Sequence, residues 1–499
     1  MQALFLFCIG SLSGLAFSSN LIFLPLMIIG LVSLFSFIYN NNLGIIRVFL
    51  AGCAYSFGQL FIGLYWIAFA FKFTMEQGIW LGLIAVLFLA MFLSIFTGIF
   101  CAISKYLKIL WNLNVFGYAL LFSSLLSIGE YIRGNLFGGF PWNILGYIWS
   151  QSYILMQPVS LIGIHGLGLI SFLGCIAFAL FFYKIRYGFY ALSPLILFFI
   201  YSIFAVNLFS NENNNFLSVR VVQPSIQQDE KWDKKLKSQH LEKLIKLSLV
   251  ENNNFNPSVI IWPESAFPYS SSLLEQKTNI FDWLKNNQTL ITGATRTNFK
   301  NNKLTDIYNS AYIIDHLEKS RMFYDKIKLV PFGEFNPFKK LINFEKMTDG
   351  ALGFSNGQGV NTFYLSKANY NIGLLICYEI IFSGQVVNGT RPDILINITN
   401  DAWYGDTFGP IQHLASARAR AIEEGLPVVR SANTGISAVI DGNGRFIERL
   451  EIGKEGVLDI YVPITDKRTI FSIYGNKIYI LILIFMLMLS RFVFINKKI

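Results

Sequence analysis

Cys377 closes an apolar run, Leu374-Leu375-Ile376, and is followed at once by Tyr378 and Glu379. A thiol placed where a strand ends is held by a stiff element. It is also the most nucleophilic of the ordinary side chains once an adjacent base or an electropositive site favours the thiolate. Two other apolar stretches carry candidate partners. Val259-Ile260-Ile261-Trp262-Pro263 ends on the carboxylate of Glu264, and the stretch from Tyr324 to Glu334 carries Lys326 and Lys328. A carboxylate that follows a strand and a proline emerges in a poorly hydrated place, where desolvation raises its pKa and suits it to general-base work. A lysine beside the thiol would favour the thiolate and stabilise the oxyanion of a tetrahedral intermediate. Glu, Lys and Cys in this order predict one site of nucleophilic catalysis.

Ile261-Trp262-Pro263-Glu264-Ser265, Asp325-Lys326 leading into Leu329-Val330-Pro331-Phe332-Gly333-Glu334, and Ile376-Cys377-Tyr378-Glu379 resemble the Glu, Lys and Cys motifs of the nitrilase superfamily. With Asn400-Asp401-Ala402-Trp403-Tyr404-Gly405 added, the chain is similar to the apolipoprotein N-acyltransferases, the membrane branch that completes bacterial lipoprotein acylation. Four motifs in the right order are specific, where one alone would be weak. The resemblance implies Cys377 as nucleophile, Glu264 as base and, counting back from Gly333-Glu334, Lys326 rather than Lys328 as the cation; the family often has His where Lys328 stands. It implies that Glu334 is a second glutamate supporting the lysine, and that Tyr378, Glu379 and Trp232 surround the acyl pocket. It further implies a phospholipid acyl donor, an apolipoprotein acceptor with a diacylglyceryl-cysteine N-terminus, and no cofactor. The implied place is the bacterial inner (cytoplasmic) membrane, with the catalytic domain on the periplasmic side. The implied fold is a membrane α-helical bundle joined to an α/β nitrilase-like αββα sandwich.

The elements that must position these residues divide into two unlike halves. The 499 residues are 54% hydrophobic and 14% charged, against the ~25% charged of soluble domains, and only nine charged residues precede Asn211. Seven segments, near 2–19, 21–39, 48–70, 79–103, 115–131, 160–183 and 188–207, are predicted to span a membrane, and an eighth near 478–495; a span takes about 20 helical residues. The first lacks the charged n-region of a secretory signal and is read as an uncleaved span. The predicted domains are a transmembrane bundle over 1–207, a catalytic domain over 208–476, and a final span and tail over 477–499. With the N-terminus inside, Arg47, Lys105, Lys108, Lys184, Arg186, Lys497 and Lys498 fall on the cytoplasmic side, against Lys72 and Arg133 outside.

The net charge of +10 forms no basic stripe and predicts no nucleic-acid partner. Cys8, Cys53, Cys101 and Cys175 lie in apolar segments and imply no disulfide framework. His165, His240, His316 and His413 are scattered without metal spacing or a link to Cys377, so neither a metal nor Cys–His catalysis is expected. Strands are predicted at 217–223, 257–262, 289–293, 309–315, 371–377, 393–399 and 436–441, and helices over 233–250 and 411–425, with no internal repeat. Gly353-Phe354-Ser355-Asn356-Gly357 fits a serine-hydrolase elbow but lacks the flanking strand and helix. Glu130 and Arg133 are expected either to pair or to hold a head group. Two rival readings stand beside the acyltransferase. One is a membrane-anchored nitrilase-type amidase; the other is a transporter with a binding domain, against which the first 210 residues carry almost no intramembrane charge.

Overall fold

The computed structural model describes residues 1–73, 78–208, 215–276, 278–301, 303–315, 322–335, 353–359 and 362–492. His316, expected as a scattered histidine, lies outside them, as do the tail lysines. The N-terminal half is helical: α1 (Gln2–Gly14), α2 (Leu24–Asn40), α3 (Ile45–Gly63), α4 (Gly78–Leu110), α5 (Val115–Asn135), α6 (Val159–Phe181) and α7 (Ile185–Leu208). Six apolar helical stretches between Leu21 and Val206 are long enough to cross a membrane; Gln2–Ser18 is a shorter one.

The expected span over 48–70 is corrected. Helix α3 stops at Gly63, and Tyr65–Phe73 forms a separate 3-10 segment. The Gly63 carbonyl, left without an intrahelical donor at the helix end, accepts from Asn143 Nδ2 at 3.0 Å and Gln412 Nε2 at 3.2 Å. Lys105 and Lys108 donate to the last carbonyls of α2, at Ile38, Asn41 and Tyr39. Glu130 and Arg133 bind the backbone of the loop after α5 rather than each other: Arg133 Nη1 donates to the Trp142 carbonyl at 2.9 Å, and Glu130 accepts from the Leu145 N–H at 3.1 Å.

The second half holds strands β1 (Phe216–Gln223), β2 (Val259–Ile261), β3 (Thr289–Lys300), β4 (Lys303–Asp315), β5 (Met322–Asp325), β6 (Thr362–Leu365), β7 (Tyr370–Ile376), β8 (Ile394–Thr399), β9 (Val428–Ala432), β10 (Ser437–Ile440), β11 (Phe446–Leu450) and β12 (Gly456–Pro463). Helices α8 (Lys237–Ser248), α9 (Ser271–Gln276), α10 (Phe408–Glu424), α11 (Ile470–Tyr474) and α12 (Lys477–Phe492) complete it. Two six-stranded sheets run β12-β1-β2-β3-β4-β5 and β11-β10-β9-β8-β7-β6. No repeat is legible in the sequence, yet the sheets share one scheme. From β12 and from β6 alike, the pairings are antiparallel, parallel, parallel, antiparallel, antiparallel.

Alternation along the strands builds the layers. Val219, Val221 and Ile261 of one sheet pack on Leu374, Ile376 and Ile396 of the other. Val222, Ile260 and Trp262 face outward to Leu244 of α8. On the far side Leu375, Leu395 and Val428 meet Leu414, Ala417 and Ala421 of α10, whose Ala415, Ala419 and Ile422 pack into the membrane bundle. Helix α10 is thus buried between sheet and bundle.

Helix α6 breaks at Gly163, with φ 68° and ψ 173°. The Ile164 N–H released there donates to Glu423 Oε1 of α10 at 2.7 Å, and a Cβ on Gly163 would stand 2.4 Å from the Phe471 ring. Gly163→Ala combines a disfavoured backbone with that overlap and should cost about 2 kcal/mol or more, read as a lower thermal midpoint of the purified chain in detergent. An unchanged midpoint would mean the break is not under this constraint.

Candidate active site

Three strand ends, two from one sheet and one from the other, converge. Strand β2 runs through Trp262 and Pro263 to Glu264, β5 runs into Lys326, and β7 into Cys377. Gly293 of β3 lets Glu264 come close: a Cβ there would stand 2.2 Å from the Ser265 nitrogen and 2.7 Å from the Glu264 Cα. Lys326 follows Asp325, which Arg296 grips at both carboxylate oxygens, 3.0 and 2.6 Å. Cys377 has φ 52°, a left-handed conformation uncommon outside glycine and asparagine, and it begins a short 3-10 turn, Cys377–Ile381.

Lys326 is 1% exposed. Its Nζ lies 2.9 Å from Glu334 Oε1 and 3.5 Å from Glu264 Oε1. Asn309 Nδ2 donates to the same two oxygens, at 3.0 and 2.7 Å. The second oxygen of Glu334 accepts the Val330 N–H at 2.8 Å, so both of its oxygens are engaged. Lys328 faces elsewhere, its ammonium 5.0 Å from the Phe382 ring centre.

Burial works to lower the Lys326 pKa, but the Glu334 and Glu264 carboxylates outweigh it and hold the ammonium above the ordinary lysine value. Burial pushes the Cys377 thiol up, and Glu264 adds to this more than Lys326 opposes it. Both effects favour the thiol form of Cys377 over the thiolate. A second buried ammonium, Lys231, donates to the Glu264 carbonyl at 3.0 Å. Burial lowers its pKa to about 8.

The expected supporting residues divide. Glu379 accepts from the N–H groups of Ile376, Ile327 and Lys328 and from the Tyr324 hydroxyl, at 2.7, 2.7, 3.2 and 2.8 Å. It ties the Cys377 turn to the Lys326 loop. Tyr378 donates its hydroxyl to the Gly139 carbonyl at 2.9 Å, in the loop that leaves α5. Trp232 is 42% exposed and stands next to Lys231. The Gly353–Gly357 stretch straps the site: Phe354 N–H donates to the Glu334 carbonyl at 3.0 Å and Gly357 N–H to that of Lys326 at 2.9 Å.

One expectation is corrected. His413 is linked to Cys377, since its Nε2 lies 3.1 Å from the Cys377 carbonyl oxygen; the two meet only because α10 packs under β7 and β8. Among the described residues Cys377, Asp401 and His413 form a cluster of metal-ligating types. Arg430 Nη2, hydrogen-bonded to both Asp401 and His413, places a fixed positive charge where a cation would have to sit. Sequence reasoning also missed Asn309, Lys231 and Arg430, which sit on strands or turns with no marked spacing.

Residues 218–468 match the family model described as carbon-nitrogen hydrolase, and residues 9–177 the one described as apolipoprotein N-acyltransferase N-terminal domain. The second half is thus a nitrilase-class α/β domain on a helical membrane bundle. The apolipoprotein N-acyltransferase of Rickettsia prowazekii (strain Madrid E) is 33% identical over 497 residues, covering 96% of each chain. That of Rhodopseudomonas palustris is 34% identical over 472 residues, covering 90% of this chain and 87% of the relative. The chain belongs to the apolipoprotein N-acyltransferase family. Among solved structures, a carbon-nitrogen hydrolase from Helicobacter pylori G27 aligns over 50% of this chain and 89% of its own, with a TM-score of 0.37 and 17% identity.

A thiol held above its usual pKa sets the pH dependence of alkylation. The thiolate fraction of Cys377 should rise about tenfold per pH unit throughout pH 7–9, and iodoacetamide labelling, followed by peptide mass spectrometry, should rise with it. A plateau below pH 8 would mean a preformed thiolate.

Proposed function

We propose that the protein transfers an acyl chain from a membrane phospholipid, through a thioester on Cys377, to the N-terminal amine of a diacylglyceryl-cysteine on an apolipoprotein. Glu264 Oε1 already faces Asn309 and Lys326, so Oε2 receives the thiol proton. The sulfur attacks the ester carbonyl, and Lys326 stabilises the oxyanion. The carbon–oxygen bond breaks, and the proton on Glu264 passes to the departing lysophospholipid. In the second half the neutral amine attacks the thioester and gives its proton to Glu264. The carbon–sulfur bond breaks, and Cys377 takes the proton back. Glu334, with both oxygens engaged, holds Lys326 and is no base.

The observation that carries this reading is that the turn bearing the nucleophile is joined directly to the membrane bundle, through Tyr378 and the Gly139 carbonyl. Both substrates are lipids, and an acyl chain lifted into water would lose about 0.8 kcal/mol per CH₂. We assign 1–207 to the bundle, 208–476 to the catalytic domain and 477–499 to the last span and tail. We assign the bundle to the bacterial inner membrane, and the charge bias supports an orientation with the catalytic domain on the periplasmic side.

Incubation of the purified chain with labelled phospholipid should give an acyl adduct on Cys377 by intact mass, absent from Cys377→Ala. A peptide with an N-terminal diacylglyceryl-cysteine should discharge it to an N-acyl peptide. Equal release of free fatty acid with or without the peptide would instead identify a membrane-anchored hydrolase.

Glu264→Gln and Lys326→Ala should each slow adduct formation by about 10²–10³-fold or more, and Lys328→Ala by far less. An inactive Lys328 variant beside an active Lys326 variant would reverse the assignment of the lysine.

A further inference from the structure

His413 is wholly buried beside the nucleophile, and no step above uses it. Its ring, Asp401 and the Cys377 sulfur offer ligand-type atoms within 4.8 Å of one another. That is the composition of a Cys–His–Asp triad, so the hydrogen-bond directions decide what the ring does.

Nε2 faces the Cys377 carbonyl oxygen at 3.1 Å. A carbonyl only accepts, so Nε2 carries the hydrogen. Nδ1 lies 3.1 Å from Arg430 Nη2, a donor, and 2.9 Å from Asp401 Oδ1. Burial first, and then the Arg430 guanidinium, push the ring's pKa below the usual histidine value. Nε2 therefore donates to the Cys377 carbonyl, while Nδ1 faces the Asp401 carboxylate and the Arg430 guanidinium. Both ring nitrogens are engaged away from the sulfur, so the ring is not placed to take the thiol proton.

We propose that His413 is a positioning residue for the nucleophile: it anchors the Cys377 carbonyl and so fixes the left-handed elbow from which the sulfur attacks. The inference rests on Cys377 being the nucleophile. A residue at φ 52° stays there only if its surroundings over-determine it. On one side of Cys377, Glu379 Oε2 holds the Ile376 N–H at 2.7 Å. On the other, His413 holds the carbonyl, with Asn397 Nδ2 a weaker second donor at 3.5 Å. The peptide is planar and trans, so the carbonyl and the following Tyr378 N–H point in opposite directions. Fixing one fixes the other. The ring in turn is wedged against Trp142 and Tyr404, with centroids 5.5 and 6.2 Å away, and Arg430 and Asp401 set its rotation.

The test compares His413→Gln, whose amide can still donate to the carbonyl, with His413→Leu, which cannot, both as full-length protein in detergent. Adduct formation on Cys377 is followed by intact mass across donor concentration and across pH 6–9, beside the thermal midpoint. The Leu variant should acylate about 10²-fold more slowly at saturating donor, with the half-saturating donor concentration unchanged. The Gln variant should recover to within about tenfold of the parent and keep the parent's pH profile. A Leu variant as fast as the parent overturns the proposal. So does a folded Gln variant that is as slow as Leu, or whose pH profile loses a limb, because His413 would then be moving a proton. If the Leu variant does not fold, the Gln variant decides alone on the same two readouts. Absence of any adduct on the parent protein would instead refute Cys377 as the nucleophile.

Discussion

The catalytic half is organised around one buried positive charge. An ammonium taken out of water costs several kcal/mol even after relaxation, and Lys326 is almost fully enclosed. Two carboxylates have to meet it, and each of them has to be satisfied in turn. Asn309 bridges both, and the Val330 N–H closes the free side of Glu334. These partners come from β4, from the end of β2 and from the loop beyond β5, so the charge can be satisfied only when that sheet and its loops are correctly paired. The opposing sheet adds Cys377 and, through Glu379, grips the backbone of the residues just after Lys326.

The site was legible where strands are buried on both faces. Central parallel strands read as continuous apolar runs, so the ends of β2 and β7 could be located from Val259-Ile260-Ile261 and Leu374-Leu375-Ile376, and with them Glu264 and Cys377. The strands that went unread break that pattern. In β9, Arg430 stands mid-strand, because its guanidinium answers Asp401 and Asn397 across the fold. Strand β11 mixes Glu448 and Arg449 into a half-exposed edge. For α10 the sequence predicts a helix over 411–425 and says nothing of what covers it. The helix is buried from Gly409 onward except at Ile411, with Arg418, Arg420, Glu423 and Glu424 enclosed. Only the packing of sheet on bundle shows why those charges are there.

That packing makes α10 the joint between the two halves. Gln412 accepts from the indoles of Trp66 and Trp142, at 3.0 and 2.7 Å, both in bundle segments. Arg418 donates to the Ser150 carbonyl at 2.6 Å. Glu423 takes the N–H freed at the break in α6 and the Ser383 hydroxyl, while Arg420 pairs with it at 2.7 Å. Between these anchors lies His413, on the Cys377 carbonyl. Together with the Tyr378–Gly139 bond, these buried polar contacts of α10 register the bundle against Cys377, and each is costly to leave unmade. Such contacts specify one arrangement of sheet against bundle more narrowly than apolar packing would.

The same electrostatics bear on the proposed use of a reluctant thiol as nucleophile. In the proposed mechanism Cys377 rests protonated among the buried side chains of Lys326, Lys231, Glu264 and Glu334. Moving the thiol proton to Glu264 would create a thiolate and remove a carboxylate, so the transfer adds no net charge to a poorly solvated pocket. A thiolate formed without that transfer would add a negative charge to the pocket, in keeping with burial and Glu264 holding the thiol up. In the proposed attack the negative charge would move again, from sulfur to the carbonyl oxygen, near an ammonium that its two carboxylates keep protonated. The charge migrates through a fixed set of partners, and the pocket has little to reorganise along the way.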